Sequence, residues 1–349
     1  MRRGSRLRRQ GEPDRYGRPA GLEALGRVGK LLLRRALKLE KTTSYTLDID
    51  ATQIVAEKEA ALYTYKGEKG YMPIVGTLAE NGYVVGEEFR EGNIAPADGN
   101  LGFIRYCNGR VPAGKRVGAV RADSATYQAA VFNWCEERGI KFAIGGRLDT
   151  ATRAAIAAIP EGDWRPYQDG RIAETVHCME ETKQAFRLIV VRRPVQQEMF
   201  VDPNTPQVDG PAEKQVVERF HVVASNRKGE TAEETLDRYH KRGDCSENRI
   251  KEVKIGFGME RMPCGQFGAN AVFFRIGCLA YNLFVMFKRQ MLPAEYLKQQ
   301  VQTLRWRLFS TAGKVVFHAG AIILKVKRAF FGLFEEVRQK CWELFEFEA

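Results

Sequence analysis

Apolar and polar side chains alternate through Tyr45-Thr46-Leu47-Asp48-Ile49-Asp50, the period of a β-strand. Residues 70–88 hold two apolar runs around Glu80-Asn81-Gly82, and Asn-Gly is a strong hairpin signal. Val117–Asp123 reads as another strand and Ala125–Arg138 as a helix, with Ala129, Val131 or Phe132, and Cys135 facing inward. Ile140–Gly145 is a further strand. The predicted order is strand, hairpin, strand, helix, strand.

The pattern then changes. Between about 150 and 226, strand-like runs separated by Pro and Gly dominate: Ile172–His177, Ala185–Arg192 and Val216–Ala224. Thr231–Lys254 reads as one long helix opened by a capping box, Thr231 with Glu234, and its candidate core positions are Leu236, Tyr239, Ile250 and Val253. A Gly-rich loop, Ile255–Gly268, precedes the apolar run Ala271–Phe287. That run carries Arg275 and Asn282, so a buried helix suits it better than a membrane span. The tail alternates over Lys314–Phe317 and Ile322–Val326 and ends in a helix, Arg328–Phe345. No repeat of fixed period is present.

Charge adds an element that hydropathy alone does not show. The chain has 349 residues and a net charge of +12. Residues 1–41 hold thirteen basic and four acidic residues, so they carry +9 of that total. This segment is the obvious polyanion-seeking part of the molecule. Residues 1–20 read as a flexible arm. Residues 21–40 read as a basic amphipathic helix with Leu22, Leu25, Val28, Leu32 and Leu39 near one face. The seven cysteines are odd in number and form no C-x-x-C pair, which fits a reducing compartment. The basic start has no apolar stretch behind it, so a secretory signal is not expected. The expected location is cytoplasmic, with no membrane partner.

Three acids stand out by position. Asp50 ends the first strand, Asp123 ends the fourth, and Glu247 lies in the long helix. Carboxylates at the ends of adjacent central strands converge on one sheet edge, and a third from a packed helix closes a cluster. Like charges raise one another's pKa, so such a cluster calls for a divalent cation. Mg²⁺ prefers oxygen ligands, and two ions bridged by carboxylates can flank a scissile phosphate. A strand-end Asp alone is more often a turn or cap residue, and it is the combination with the strand-hairpin-strand-helix-strand order that is specific.

Six segments together carry a resemblance: LDIDAT (47–52), EKGYMPIVG (68–76), REGNIAPADG (90–99), VRADSATY (120–127), residues 239–265 and residues 268–284. The chain resembles DDE transposases of bacterial insertion sequences. It is most similar to the group with a Tyr-Arg-Glu-Lys signature and a β-rich insertion before its glutamate. The resemblance spans about 45–330. It implies an α/β fold: an RNase H-like mixed sheet flanked by helices and interrupted by a β-rich insertion domain. The implied organisation is 1–43 as a basic arm and helix left from an N-terminal DNA-binding region. Residues 44–149 and 227–330 are the two parts of the core, 150–226 the insertion, and 331–349 a C-terminal helix.

The resemblance also implies the chemistry and its residues. Asp50, Asp123 and Glu247 match the three metal-binding catalytic acids, with Asp48 an alternative to Asp50. The cofactor is two Mg²⁺ ions, for which Mn²⁺ can substitute. The implied activity is cutting of insertion-sequence ends and joining of 3′ ends to target DNA. Double-stranded DNA is the partner, a homodimer holds the paired ends, and the protein is associated with the bacterial nucleoid. The signature maps to Tyr239, Arg242, Glu247 and Lys254, of which Tyr239, Arg242 and Lys254 are DNA contacts. The family leaves three residues between Arg and Glu, whereas four separate Arg242 from Glu247. That turns Arg242 by about 100° on an ideal helix, so either the helix restarts after Gly243 or a bulge absorbs the extra residue.

Weaker candidates remain. Trp164 either packs within the insertion or holds a flipped base, as an inserted aromatic does in related transposases. Arg110, Lys115, Arg116 and Arg121 either line a DNA channel or are scattered surface bases. The four histidines have no ligand spacing. Family members carry a longer amino-terminal region than this chain. The alternative function is therefore an N-terminally truncated, inactive DNA-binding remnant.

Overall fold

The computed structural model describes residues 20–198, 214–243 and 247–346. After helix α1 (Ala20–Lys38), strand β1 (Ser44–Ala51) leads into a small sheet of β2 (Ile54–Val55), β3 (Leu62–Tyr63) and β4 (Lys69–Tyr71). A hairpin of β5 (Ile74–Leu78) and β6 (Val84–Glu88) follows, then α2 (Asn100–Asn108), β7 (Arg116–Ala122), α3 (Ala129–Glu137), β8 (Lys141–Gly145) and α4 (Thr150–Ala157). The first five long strands stand in the order β6-β5-β1-β7-β8. β5 and β6 are antiparallel to their neighbours, whereas β7 runs parallel to β1 and β8 parallel to β7. This is the mixed sheet flanked by helices that the resemblance implies.

The central strands are buried on both faces. Helices cover this sheet, so β5 is buried at every position and β1 at Tyr45 and from Leu47 to Ile49. Asp48 is thereby drawn fully inside. The turn between β5 and β6 uses Asn81 and Gly82 as the sequence suggests. Gly82 has φ +85°, and Asn81 Oδ1 accepts from the Tyr83 amide at 3.2 Å.

The β-rich stretch builds onto the sheet edge. β9 (Arg165–Tyr167), β10 (Gly170–His177), β11 (Phe186–Glu198) and β12 (Lys214–Ser225) are antiparallel, and β12 pairs with β8 over Val223–Ser225. Among the described residues the sheet therefore has nine strands.

The expected helix from Thr231 to Lys254 is helical at every described residue from Ala232 on, with wider π-type turns between its α-helical stretches. Its first part, α5 (Ala232–Arg242), has the full capping box of Thr231 and Glu234. The second part is α6 (Asn248–Lys251), which runs on into a wide π-type turn, Glu252–Gly256. Gly243 and Glu247, which flank the undescribed residues 244–246, are also in π-type pairing. A wide turn of this kind takes up one extra residue without rotating the following side chains off their face.

Helix α7 (Phe267–Met291) is the centre of the second half. Among the described residues it is the one helix long and apolar enough to cross a membrane. It is tied instead into the protein. Asn282 Oδ1 accepts from the Val84 amide and Nδ2 donates to the Val84 carbonyl, both at 2.8 Å. The Asn282 amide thus takes the place of a neighbouring strand along edge strand β6. Arg275 pairs with buried Glu87 and donates to Leu22 O at 2.6 Å, holding α1 against α7.

The face of α1 differs from the expected one. Val28 and Leu39 are exposed, whereas Gly29, Leu33, Ala36 and Leu37 are buried. A Cβ on Gly29 would lie 3.0 Å from Leu279 Cδ2, so close approach to α7 selects the glycine side. Residues 1–19 of the basic arm lie outside the described residues. The chain ends in α8 (Val301–Leu304), a wide turn at Arg305–Phe309, a hairpin of β13 (Gly313–His318) and β14 (Ala321–Val326), and α9 (Arg328–Glu346).

Candidate active site

β1 and β7 are adjacent and parallel, so their carboxyl ends lie side by side. Asp50 is at the end of β1 and Asp123 directly follows β7. Asp48 and Asp50 share a strand face but not an environment. Asp48 is completely buried, and Arg121 Nε and Nη2 reach its two oxygens at 2.7 Å each. Arg121 also donates through Nη1 to Arg238 O at 2.5 Å. Asp50 lines an open cleft with Thr52, Glu247, Lys251, Lys254 and Glu260.

Burial pushes the Asp50 carboxyl up to about 6, against the pull of the Arg242 guanidinium and with a further push from Asp123 and Glu247. Arg242 Nη1 lies 3.4 Å from Asp50 Oδ2. The Arg242 Nε is buried and has no hydrogen-bond partner among the described residues. Asp123 Oδ1 accepts from the Ala125 amide at 3.1 Å and caps the short turn Ser124–Thr126. Glu247 is exposed on the cleft side of α6.

The remaining signature residues converge on the same place. Tyr239 is buried, which raises its phenol pKa, and the Arg242 guanidinium stands 5.8 Å from its ring centre. A Cβ on Gly145 would come within 2.8 Å of the Tyr239 hydroxyl, so a glycine at the end of β8 makes room for it. Lys254 Nζ donates to Gln53 O at 2.8 Å and Thr52 Oγ1 at 3.4 Å, just past Asp50. Burial lowers its pKa, and nearby Lys66 adds to that.

Among the described residues, no three acids stand close enough together to hold a metal ion as they are placed. The donor set still suits one. Asp50, Asp123 and Glu247 offer only carboxylate oxygens, the hard ligands Mg²⁺ prefers. The desolvated Asp50 carboxyl feels two further negative charges. In this arrangement Arg242 supplies the positive charge that Asp50 requires.

The family model described as transposase DDE domain group 1 matches residues 14–332, most of the chain. The chain belongs to this transposase family. No curated protein matches it. Among solved structures it is similar to one described as the cryo-EM structure of piggyBac transposase synaptic complex with hairpin DNA. The identity is 11% and the TM-score 0.49, over 83% of this chain and 56% of that one. The chain thus spans little more than half the length of that relative.

Several bases considered for a DNA channel have structural work in this transposase-family chain. Arg121 is sealed against Asp48. Arg110 donates to Val85 O at 2.6 Å and Gly26 O at 3.3 Å. Lys115 donates to Glu40 O at 2.5 Å and Thr42 O at 2.7 Å. Backbone carbonyls far away in the chain take up the Arg110 and Lys115 donors, which composition cannot reveal. Arg116 is exposed. Trp164 is buried beneath Arg192, whose guanidinium is 4.4 Å from the ring centre, so it is not free to stack on a base. His221 and His240 sit 5.5 Å apart beside Tyr239, and burial pushes His221 down to about 4.

Sequence reasoning passed over Arg249. Its Nη1 and Nη2 donate to Leu78 O at 2.9 Å and Ala79 O at 2.6 Å. It anchors the turn carrying Glu247 to the β5–β6 hairpin. Only its place two residues after the glutamate hinted at this role.

Proposed function

We propose that this chain is the catalytic core of a DNA transposase that cuts the ends of a bacterial insertion sequence and joins their 3′ ends to target DNA. The observation that carries the reading is the state of Asp50: a desolvated carboxyl at the sheet edge, coupled to Asp123 and Glu247 and balanced by Arg242. A carboxyl in that state is poised for a divalent cation.

Asp50, Asp123 and Glu247 are the residues that would hold two Mg²⁺ ions, or Mn²⁺ in their place. When bound, the ions supply Lewis acidity at the scissile phosphate and lower the pKa of the attacking water or hydroxyl. Arg242, once released from Asp50, turns its unpartnered Nε and its Nη groups to phosphate oxygens. The Tyr239 hydroxyl donates a hydrogen bond at the same phosphate. Lys254 holds the backbone after β1 and gives positive potential to the cleft. In this reading 150–226 is an insertion between the second acid and the third. A homodimer brings two DNA ends together, and the protein acts at the bacterial nucleoid.

The test is cleavage of a supercoiled plasmid carrying the element's ends, with Mg²⁺ or Mn²⁺, by the wild type and by Glu247→Ala and Asp123→Ala. End-specific cuts and strand-transfer products from the wild type alone are expected. Undiminished cutting by Glu247→Ala removes it from the set. A folded wild type that binds DNA but never cuts favours the inactive remnant.

A further inference from the structure

The β13–β14 hairpin has a composition unlike the rest of the molecule. From Tyr296 to Phe334 the sequence contains seven Lys and Arg residues and no Asp or Glu. The two strands pair from Gly313–Val326 to His318–Ala321. Ala319 (φ 47°) and Gly320 (φ 76°), both left-handed, close a two-residue loop of the I′ kind. The hairpin is a free two-stranded ribbon, since neither strand pairs with another strand among the described residues.

One face is wholly apolar, and the other carries the lysines beside a Val316–Ile323 pair. Val315, Phe317, Ile322 and Leu324 share one face, exposed to 57%, 77%, 71% and 52%. Phe317 and Ile322 are directly opposite one another, next to the loop. On the other face Lys314 stands directly across from Lys325, a like-charge pair that destabilises an isolated ribbon. Neither lysine has a carboxylate partner among the described residues. At the ribbon's base, Arg307 and Lys327 line a cleft with Trp306 and Phe330.

We propose that this ribbon is a second DNA-contacting element. The Phe317–Ile322 pair wedges between base pairs from the minor groove of double-stranded DNA. Lys314, Lys325, Lys327 and Arg328 neutralise the flanking phosphates. An apolar wedge at the end of a cationic arm is the chemistry by which proteins kink a duplex, and a two-stranded ribbon has the dimensions of a groove reader. Charge decides between occupants. A second copy on the apolar face would bring two acid-free cationic segments together, whereas DNA relieves the Lys314–Lys325 repulsion. The inference rests on the reading of the chain as a DNA-acting transposase, but it uses no residue of the carboxylate cleft.

The test uses the full chain in EDTA, so that no cutting occurs, and a short duplex of mixed sequence with donor and acceptor dyes at its ends. Lys314→Gln/Lys325→Gln is expected to lower the slope of log affinity against log salt by about 2 and to weaken binding about tenfold or more. Phe317→Ser/Ile322→Ser, which alters only exposed side chains, is expected to abolish the bend seen as energy transfer. An unchanged slope and bend in both variants, with end-specific cutting intact, overturns the ribbon proposal alone. A shift from dimer to monomer in Phe317→Ser/Ile322→Ser, with DNA binding unchanged, overturns it in favour of an interface between copies. A wild type that binds no duplex overturns both this proposal and the transposase reading.

Discussion

Arg242, at the last turn of α5, reaches Asp50 at the end of β1 with Nη1 3.4 Å from Oδ2. The two residues are 192 positions apart in the chain. The same guanidinium stands over the Tyr239 ring. One cation therefore connects the end of β1 to α5.

This contact does not fully offset the burial of Asp50, whose carboxyl stays near 6. The unfolded value is about 3.9. Between these two values the folded state holds more proton than the unfolded one, so the Asp50 contribution to stability falls as pH rises from about 4 to 6. Above pH 6 the destabilisation is complete. Asp50→Asn removes it, so at pH 7.5 it should be more stable than the wild type by up to about 3 kcal/mol, with a higher melting temperature. Below pH 4 the two should melt together. Mg²⁺ should raise the wild-type melting temperature more than that of Asp50→Asn. Scanning calorimetry across this range checks all three.

Asp48→Asn should behave in the opposite way. Its partner Arg121 is 4% exposed, and the substitution leaves that cation buried with half of its pairing lost. Breaking one side of a buried ion pair costs about 3–5 kcal/mol. Denaturant unfolding should show that loss at neutral pH. Two aspartates two residues apart thus separate by the sign of one measurement. Equal effects would refute the distinction between them.

Asn282→Leu should uncouple α7 from β6. The Val84 N–H and C=O each lose a partner on a buried edge strand. Each unpaired buried group costs about 1–3 kcal/mol, so a loss of about 3 kcal/mol is expected. Hydrogen exchange should show the Val84 amide losing protection ahead of its neighbours in β6.

Gly145→Ala tests the position of Tyr239. The new methyl would fall 2.8 Å from the Tyr239 hydroxyl and 3.0 Å from the Ser124 amide. The tyrosine or the loop after Asp123 must give way. Plasmid cutting should fall at least about tenfold, the consequence of a small misplacement at a reacting centre. The melting temperature should drop only modestly.

Much of this was legible in the chain alone. Alternation at 45–50, the Asn81-Gly82 turn and the apolar run at 140–145 placed the core strands, because strand period and turn chemistry are local properties. The Thr231–Glu234 box marked the start of α5 for the same reason. The three acids stand out by their places at strand ends and in the helix, whereas Tyr239, Arg242 and Lys254 come from the family resemblance.

The tertiary structure decided what local pattern cannot hold. Asp48 and Asp50 are equivalent by period, and only the guanidinium of Arg121, arriving from the neighbouring strand, sealed one and left the other at a cleft. Arg110 and Lys115 look like surface bases until distant carbonyls claim them. Charge and hydropathy are written along the chain, so the sequence by itself determined the elements and the kind of chemistry. Which polar groups lose water, and which partner meets them there, depends on residues far apart in sequence, and only folding sets that.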